Sequence, residues 1–235
     1  VTTNLLLSGG PTHDLAATSA RVAELLADEG IESVVVDDPH EAIELLIDPG
    51  ATWDLVTVNA LRWRMEADRY AHLRDAWAFE LRDDEAEALQ RHVRGGGGLL
   101  ALHTAVVCFD AQPAWHNTVG ASWDWNRSSH PPVAEIEVVV TDAGRHHPLT
   151  AGLEPFTIVD EAYGFLDESP DLVPLLTAEH GGRAHPLLWA RHVGDGRVVA
   201  DLLGHDETSL HHPTHAEILR RAARWALPHR DEATP

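Results

Sequence analysis

The constraint that most narrows the fold is an alternation in the N-terminal part of the chain. Apolar, strand-like runs lie at residues 4–7, 33–36, 55–58 and 99–102, and helical stretches separate them. That order predicts a mostly parallel central sheet with helices on both faces, an α/β fold. The first run is broken by Ser8-Gly9-Gly10-Pro11. Thr12, His13 and Asp14 supply helix-capping residues, and Leu15, Val22, Leu25 and Leu26 form an apolar stripe that stops at Gly30. A short helix is expected over 39–47, a partly helical insertion over 62–80, and a helix with acidic residues in its first turn over 83–94. The glycines at 95–98 precede the fourth strand rather than follow it, so they do not form a phosphate loop.

Further along, 114–119 reads as a helical turn and 122–132 as a polar, aromatic loop. Strands are expected at 136–140, 156–159, 172–176, 186–190 and 198–203, and a last helix over 214–227 behind Pro213. Neither a repeat nor a long linker divides the chain, so residues 1–228 are expected to form one domain, with 229–235 a frayed tail.

Charge excludes several functions. The chain has 17 Arg and no Lys against 38 Asp and Glu, a formal charge of −21. That field repels phosphate backbones and anionic lipid, so neither nucleic acid nor membrane is expected as a partner. Without Lys there is no Schiff-base chemistry. The single cysteine, Cys108, excludes an internal disulfide. No apolar run reaches the ~18 residues of a membrane span, and no basic, apolar leader opens the sequence, so a cytoplasmic location is expected. Histidine is abundant, with 17 residues, and so is tryptophan, with 8. The first supplies acid–base groups and metal ligands; the second supplies flat faces for a sugar ring.

In an open parallel sheet, ligands bind beyond the carboxyl ends of the strands. Four apolar runs are followed there by His13, His103, Asp160-Glu161-Ala162-Tyr163 and Gly204-His205. His13, His103, Glu161 and His205 are therefore expected to line one pocket. His103 occupies the strand-to-helix elbow where other enzymes carry Ser or Cys, and an imidazole there suits proton transfer or metal ligation. Cys108, among Val106, Val107 and Phe109, reads as a buried thiol dispensable for chemistry. The loop Trp123-Asp124-Trp125 through His130-Pro131-Pro132 either closes over the site or is pinned by aromatic packing. No short metal-binding motif occurs. Clustering alone leaves a divalent ion (Zn²⁺, Mn²⁺ or Ni²⁺) open, with ligands drawn from His103, His130, His205 and Glu161.

These pieces together carry a resemblance. They are Ser8-Gly9-Gly10 with His13-Asp14; Gly96-Gly97-Gly98-Leu99-Leu100-Ala101-Leu102-His103-Thr104-Ala105; Val119-Gly120 with His130-Pro131; and His147-Pro148-Leu149-Thr150-Ala151-Gly152-Leu153. Asp160-Glu161-Ala162-Tyr163, Pro186-Leu187-Leu188-Trp189-Ala190-Arg191, Gly194-Asp195-Gly196-Arg197-Val198 and Leu203-Gly204-His205 complete the set. In order and spacing the chain resembles the ThuA-like, trehalose-utilisation family. The resemblance implies a flavodoxin-like fold, similar to class I glutamine amidotransferases, and a role in sugar catabolism. His at the elbow means that amidotransferase activity is not carried over. The Trp123-Asp124-Trp125 stretch departs from the Phe-containing segment expected there.

The implied reading is an enzyme acting on a disaccharide or keto-glycoside by hydrolysis, elimination or isomerisation. His103, Glu161 and His205 are its candidate catalytic residues. Gly9, His13, His130, Asp160, Tyr163, Trp123 and Trp189 are its candidate substrate contacts. The alternative is a non-catalytic sugar-binding or regulatory protein using the same pocket. A small-molecule sugar is the expected partner, and a homo-oligomer is left open.

Overall fold

The computed structural model describes residues 1–228, so the expected frayed tail lies outside the described residues. The first elements follow the predicted alternation: β1 (Thr2–Leu7), α1 (Leu15–Ala27), β2 (Ile31–Val36), α2 (Pro39–Ile47) and β3 (Leu55–Val58). Local chemistry sets their bounds. The Asp14 carboxylate caps α1 by accepting from the Ala17 N–H, and Asp38 caps α2 with Pro39 in its first turn. The insertion is indeed partly helical, with a 3₁₀ turn at Asp68–Tyr70 and α3 at Ala71–Trp77. Helix α4 (Asp83–Arg94) opens on Asp83, Asp84 and Glu85 and closes on Arg91, His92 and Arg94, matching its dipole.

Strand β4 (Gly98–Leu102) is buried at every residue, as a strand covered on both faces must be. It runs into a 3₁₀ turn at His103–Val106, followed by α5 (Pro113–Val119) and β5 (Ala121–Ser122). Then come β6 (Ala134–Val140), α6 (Asp142–His146), β7 (Phe156–Asp160) and β8 (Asp167–Glu168). The remainder is β9 (Pro174–His180), β10 (Arg183–Val193), β11 (Gly196–Asp201), α7 (Glu207–His211) and α8 (Pro213–Ala226). Among the described residues, no helix is long and apolar enough to cross a membrane.

The large sheet has the order β2-β1-β3-β4-β11-β10-β9-β6-β7. Its first five strands are parallel, and β10, β9, β6 and β7 continue it in antiparallel fashion. Helices α1, α7 and α8 pack together as one layer, and α2, α4 and α5 as another. The architecture is the predicted flavodoxin-like α/β type with an antiparallel wing.

The wing differs from the sequence expectation in one respect. Residues 172–176 and 186–190 were the expected strands, yet the β9–β10 hairpin spans 174–193. Gly181 and Gly182 both take positive φ, +61° and +75°, and form a two-residue turn that pairs His180 with Arg183. Such a turn favours Gly at both positions, and it extends the ladder through residues too polar to read as strand.

The β6–β7 hairpin is tied to β9 only through Val139 and Val140, while residues 134–138 of β6 pair with β7 alone. Strand β7 runs in the same sense as β1, β4 and β11. Its last residue, Asp160, bonds the backbone beyond β11 despite β7's place at the far edge of the sheet. The hairpin therefore folds back and brings the end of β7 to the carboxyl ends of the parallel strands.

Candidate active site

His103 opens the turn after β4 with φ +44°, a left-handed conformation uncommon for a residue with a Cβ. The strained turn aims its imidazole at the strand ends, the geometry of a nucleophile elbow with His in place of the nucleophile. The ring is 1 % exposed. Its Nδ1–H donates to the Leu202 carbonyl at 2.8 Å, which fixes the tautomer and leaves the Nε2 lone pair facing inward.

Nε2 of His13, just before the α1 cap, lies 3.3 Å from His103 Nε2, and the other ring nitrogen of His13 bonds the Thr12 hydroxyl. The Tyr163 hydroxyl is 3.3 Å from the same His103 nitrogen. Glu161, brought in by the folded-back hairpin, places Oε2 3.6 Å from His103 Nε2 and 3.2 Å from His205 Nδ1. Donor atoms of His13, His103, Glu161 and His205 all lie within 4.8 Å of one another. His103 and Glu161 form a buried floor; His13 and His205 are half-buried at its rim.

Two atoms in this cluster are orphaned. Glu161 Oε2 and His205 Nδ1 are both buried, and neither has hydrogen-bond geometry to any described residue, although they approach each other. Buried polar atoms without partners are costly, and four converging imidazole and carboxylate donors fit a divalent transition metal.

The surroundings set the charges. Burial lowers the His13 pKa to about 4, reinforced by the facing rings of His103 and His205. Burial also lowers His103, against the pull of Asp160 and Glu161, so both rings are neutral near pH 7. Burial pushes the Glu161 carboxyl up, but the His130 hydrogen bond and the surrounding imidazoles outweigh it and hold the group low. His130 is exposed and raised, chiefly by its hydrogen bond to Glu161, with Nδ1 3.1 Å from Oε1. Burial holds the Tyr163 phenol well above 10, so it stays protonated.

Several expected site residues lie elsewhere or act differently. Trp189 is not a substrate contact: it is 1 % exposed in β10 and donates its indole N–H to the Val119 carbonyl. Gly9 accepts from the Leu61 N–H and sits against Asp37 and Arg62, where a Cβ would come 2.9 Å from the guanidinium; it serves the turn after β1. Asp160 is fully buried, its carboxylate accepting from the backbone N–H groups of Glu161, Gly204 and His205, so it positions the site. His130 is outside the four-donor cluster, on the other oxygen of Glu161, and His13 takes its place. Trp123 is half-buried beside Tyr163 and His130, with ring centroids 5.3 and 6.0 Å away. Cys108 is buried, donates to the Ala60 carbonyl at 3.0 Å, and burial pushes its thiol up to about 12, far from a nucleophile.

Sequence reasoning missed a buried pin beneath the site. His215 in α8 pairs through Nε2 with Asp201 Oδ2 at 3.2 Å, and its Nδ1 lies 2.9 Å from the Ser209 hydroxyl. The types are those of a hydrolytic triad, but all three residues lie in the core and both ring nitrogens of His215 are committed, to Ser209 and to Asp201, so the group is a structural pin. Asp201 also accepts from the Leu203 N–H, so the pair fixes the turn that grips His103 and carries His205. The only signal was an i, i+6 Ser–His spacing, which carries no meaning without the fold.

This pin predicts a pH effect. Burial lowers the His215 pKa, but Asp201 outweighs it and the net shift is upward. A raised folded pKa stabilises fully below the unfolded value of about 6.5 and ceases to do so as pH rises through the folded value. His13 and His103 act in the opposite sense: their lowered values cost stability as pH falls below about 6.5. The melting temperature should therefore fall on both sides of a near-neutral maximum. His215→Gln should remove the alkaline slope alone; an unchanged alkaline slope in thermal melts of that variant would contradict the assignment.

Solved structures of the same fold include a ThuA-like protein from Parabacteroides merdae, 18% identical with a TM-score of 0.73, covering 96% of this chain and 89% of that one. A ThuA-like protein from Bacteroides uniformis is 15% identical with a TM-score of 0.68, covering 96% and 91%. A cytoplasmic protein from Salmonella typhimurium is 13% identical with a TM-score of 0.60, covering 97% and 100%. At these identities the likeness is one of fold. No curated protein matches the chain. The sequence pattern of the ThuA family, described as trehalose utilisation, matches residues 5–226, nearly the whole described length. The chain belongs to the ThuA family.

Proposed function

We propose that this protein is an enzyme acting on a disaccharide or keto-glycoside, with a divalent metal ion held by His13, His103, Glu161 and His205. The observation that carries the reading is the convergence of three imidazoles and one carboxylate, with Glu161 Oε2 and His205 Nδ1 left without hydrogen-bond partners. The family's association with trehalose utilisation supports a sugar as the substrate. When bound, the ion would supply Lewis-acid polarisation of a carbonyl oxygen.

The chain's own residues supply the rest. A ketone at C3 acidifies the C2–H that lies between it and the glycosidic carbon; loss of that proton with departure of the C1 oxygen, leaving a C1=C2 double bond, needs a base for the proton and an acid for the leaving oxygen. His103 turns its Nε2 lone pair into the cluster, its other nitrogen being committed to Leu202; that lone pair would be spent on the ion when one is bound, and it is free to act as the base only in protein without metal. His130, exposed and held toward its charged form by Glu161, is the acid at the rim. Tyr163 and Trp123 provide a ring face and a phenolic donor beside them.

The test loads purified protein with Zn²⁺, Mn²⁺ or Ni²⁺, measures retained metal by mass spectrometry, and assays trehalose and its 3-keto form. Stoichiometric retention of one ion, together with turnover of the keto form, is the expected result. Turnover by protein that retains none of the ions would leave His103 and Glu161 as a metal-free acid–base pair. Sugar binding without turnover of either form would favour a non-catalytic sugar-binding protein.

A further inference from the structure

Beside the site lies a cleft of about 390 Å³ lined by Trp63, Arg64, Glu66, Tyr70, Asp110 and Trp125. Its aromatic walls come from two separate segments: Trp63 and Tyr70 from the insertion after β3, and Trp125 from the loop after β5. The Trp63 and Trp125 rings lie 5.8 Å apart at 32°, and Tyr70 stands edge-on to Trp63 at 5.1 Å and to Trp125 at 6.0 Å. Trp125 is 38 % exposed, so part of a large apolar ring faces the cleft mouth.

A chain of aromatic side chains links the cleft's wall to the reactive cluster. Trp123 touches Trp125 at 6.3 Å on one side and Tyr163 at 5.3 Å on the other, and Tyr163 reaches His103. The rim carries planar hydrogen-bonding groups held in place. Arg64 donates through Nε to Asp110 Oδ1 at 3.3 Å and through Nη1 to Glu66 Oε1 at 3.0 Å, and the Arg69 guanidinium lies over Tyr70. Two guanidinium groups against two carboxylates leave no excess charge, so the cleft does not select an ion. Stacking faces ringed by balanced donors and acceptors suit a neutral polyhydroxylated ring, whose C–H faces stack while its hydroxyls bond the rim.

We propose that this cleft is a second sugar subsite: it holds the outer ring of a disaccharide whose other ring lies over the His13–His103–Glu161–His205 cluster. The proposal rests on the sugar-enzyme reading above and narrows its substrate to a two-ring compound. Trp125 and Arg64 are then specificity-determining residues, and neither belongs to the reactive cluster.

The test is isothermal titration calorimetry of the full chain with trehalose, 3-keto-trehalose, maltose, sucrose and glucose, on the wild type and on Trp125→Ala, Trp125→Phe and Arg64→Ala. The expected result is that wild type binds one or more of the disaccharides at least about tenfold more tightly than glucose. Trp125→Ala and Arg64→Ala should each erase most of that preference, and Trp125→Phe should keep it. Circular dichroism establishes that each variant is folded, and Arg64→Ala decides the matter if Trp125→Ala is not. Equal wild-type affinity for disaccharides and glucose, or a preference unchanged in both alanine variants, would overturn the subsite while leaving the sugar reading intact. Absence of binding by every sugar to the wild type would overturn the sugar reading and the subsite with it.

Discussion

Glu161→Gln is expected to lower divalent-metal affinity by at least about 100-fold while leaving the melting temperature nearly unchanged. Glu161 is the single carboxylate in the four-donor cluster, and the other three donors are imidazoles. The substitution keeps the side-chain volume but removes the negative charge that offsets a divalent ion. Replacing groups that merely orient metal ligands costs about 10–100-fold in affinity, so losing a ligand belongs at or beyond the upper end. His130 also loses its charged partner at 3.1 Å, so its pKa should fall back toward the ordinary imidazole value. Turnover then suffers twice, through metal loss and through the absent acid. Competition against a chromophoric chelator, with thermal melts on the same samples, checks this. A Glu161→Gln variant that binds metal like the wild type would remove Glu161 from the ligand set.

Asp160→Ala is expected to destabilise the fold by about 4 kcal/mol and lower the melting temperature by about 10 °C. One fully buried carboxylate accepts three backbone N–H groups: Glu161 at 2.7 Å and His205 at 3.3 Å on Oδ1, Gly204 at 2.8 Å on Oδ2. Alanine leaves these donors without the acceptor they share, and each unsatisfied buried group costs about 1–3 kcal/mol. The bonds also tie the end of β7 to the turn after β11, the contact that sets Glu161 beside His205. Asp160→Asn keeps one acceptor oxygen but turns an amide N–H₂ against a donor, so an intermediate loss of about 2 kcal/mol is expected. Urea unfolding of the two variants measures both values. An Asp160→Ala protein as stable as the wild type would show that the three N–H groups find other partners.

Much of the core was legible because its signals are local. Strands β1, β3 and β4 announce themselves as apolar runs bounded by turn residues, and Asp14 and Asp38 cap helices where capping residues stand. The habit of parallel sheets to bind ligands beyond their carboxyl ends then singled out His13, His103, Glu161 and His205. Trp189 misled because its surroundings in sequence do not reveal that its indole N–H finds the Val119 carbonyl inside the core. The extent of the β9–β10 hairpin was hidden by the polar residues around Gly181 and Gly182. Asp201, Ser209 and His215 carried only a Ser–His spacing of six, which has no meaning until the fold brings Asp201 beside it.

The sequence by itself determined which segments become the parallel strands, where a His or a carboxylate follows a strand, and that Cys108 sits in an apolar stretch. Only the tertiary structure decided which of those ends meet. His13 and His103 are 90 residues apart in sequence, and Asp160 and Gly204 are 44 apart, yet each pair is in contact. Their meeting depends on strand order and on the folding back of the β6–β7 hairpin. Those are settled by long-range pairing and by the satisfaction of buried donors such as the Gly204 and His205 N–H groups. The turn between β1 and α1 places His13 among the four donors, whereas His130 lies against the other oxygen of Glu161, outside the cluster. Local periodicity specifies the face a residue occupies on its own element, and convergence of side chains is a property of how the elements pack.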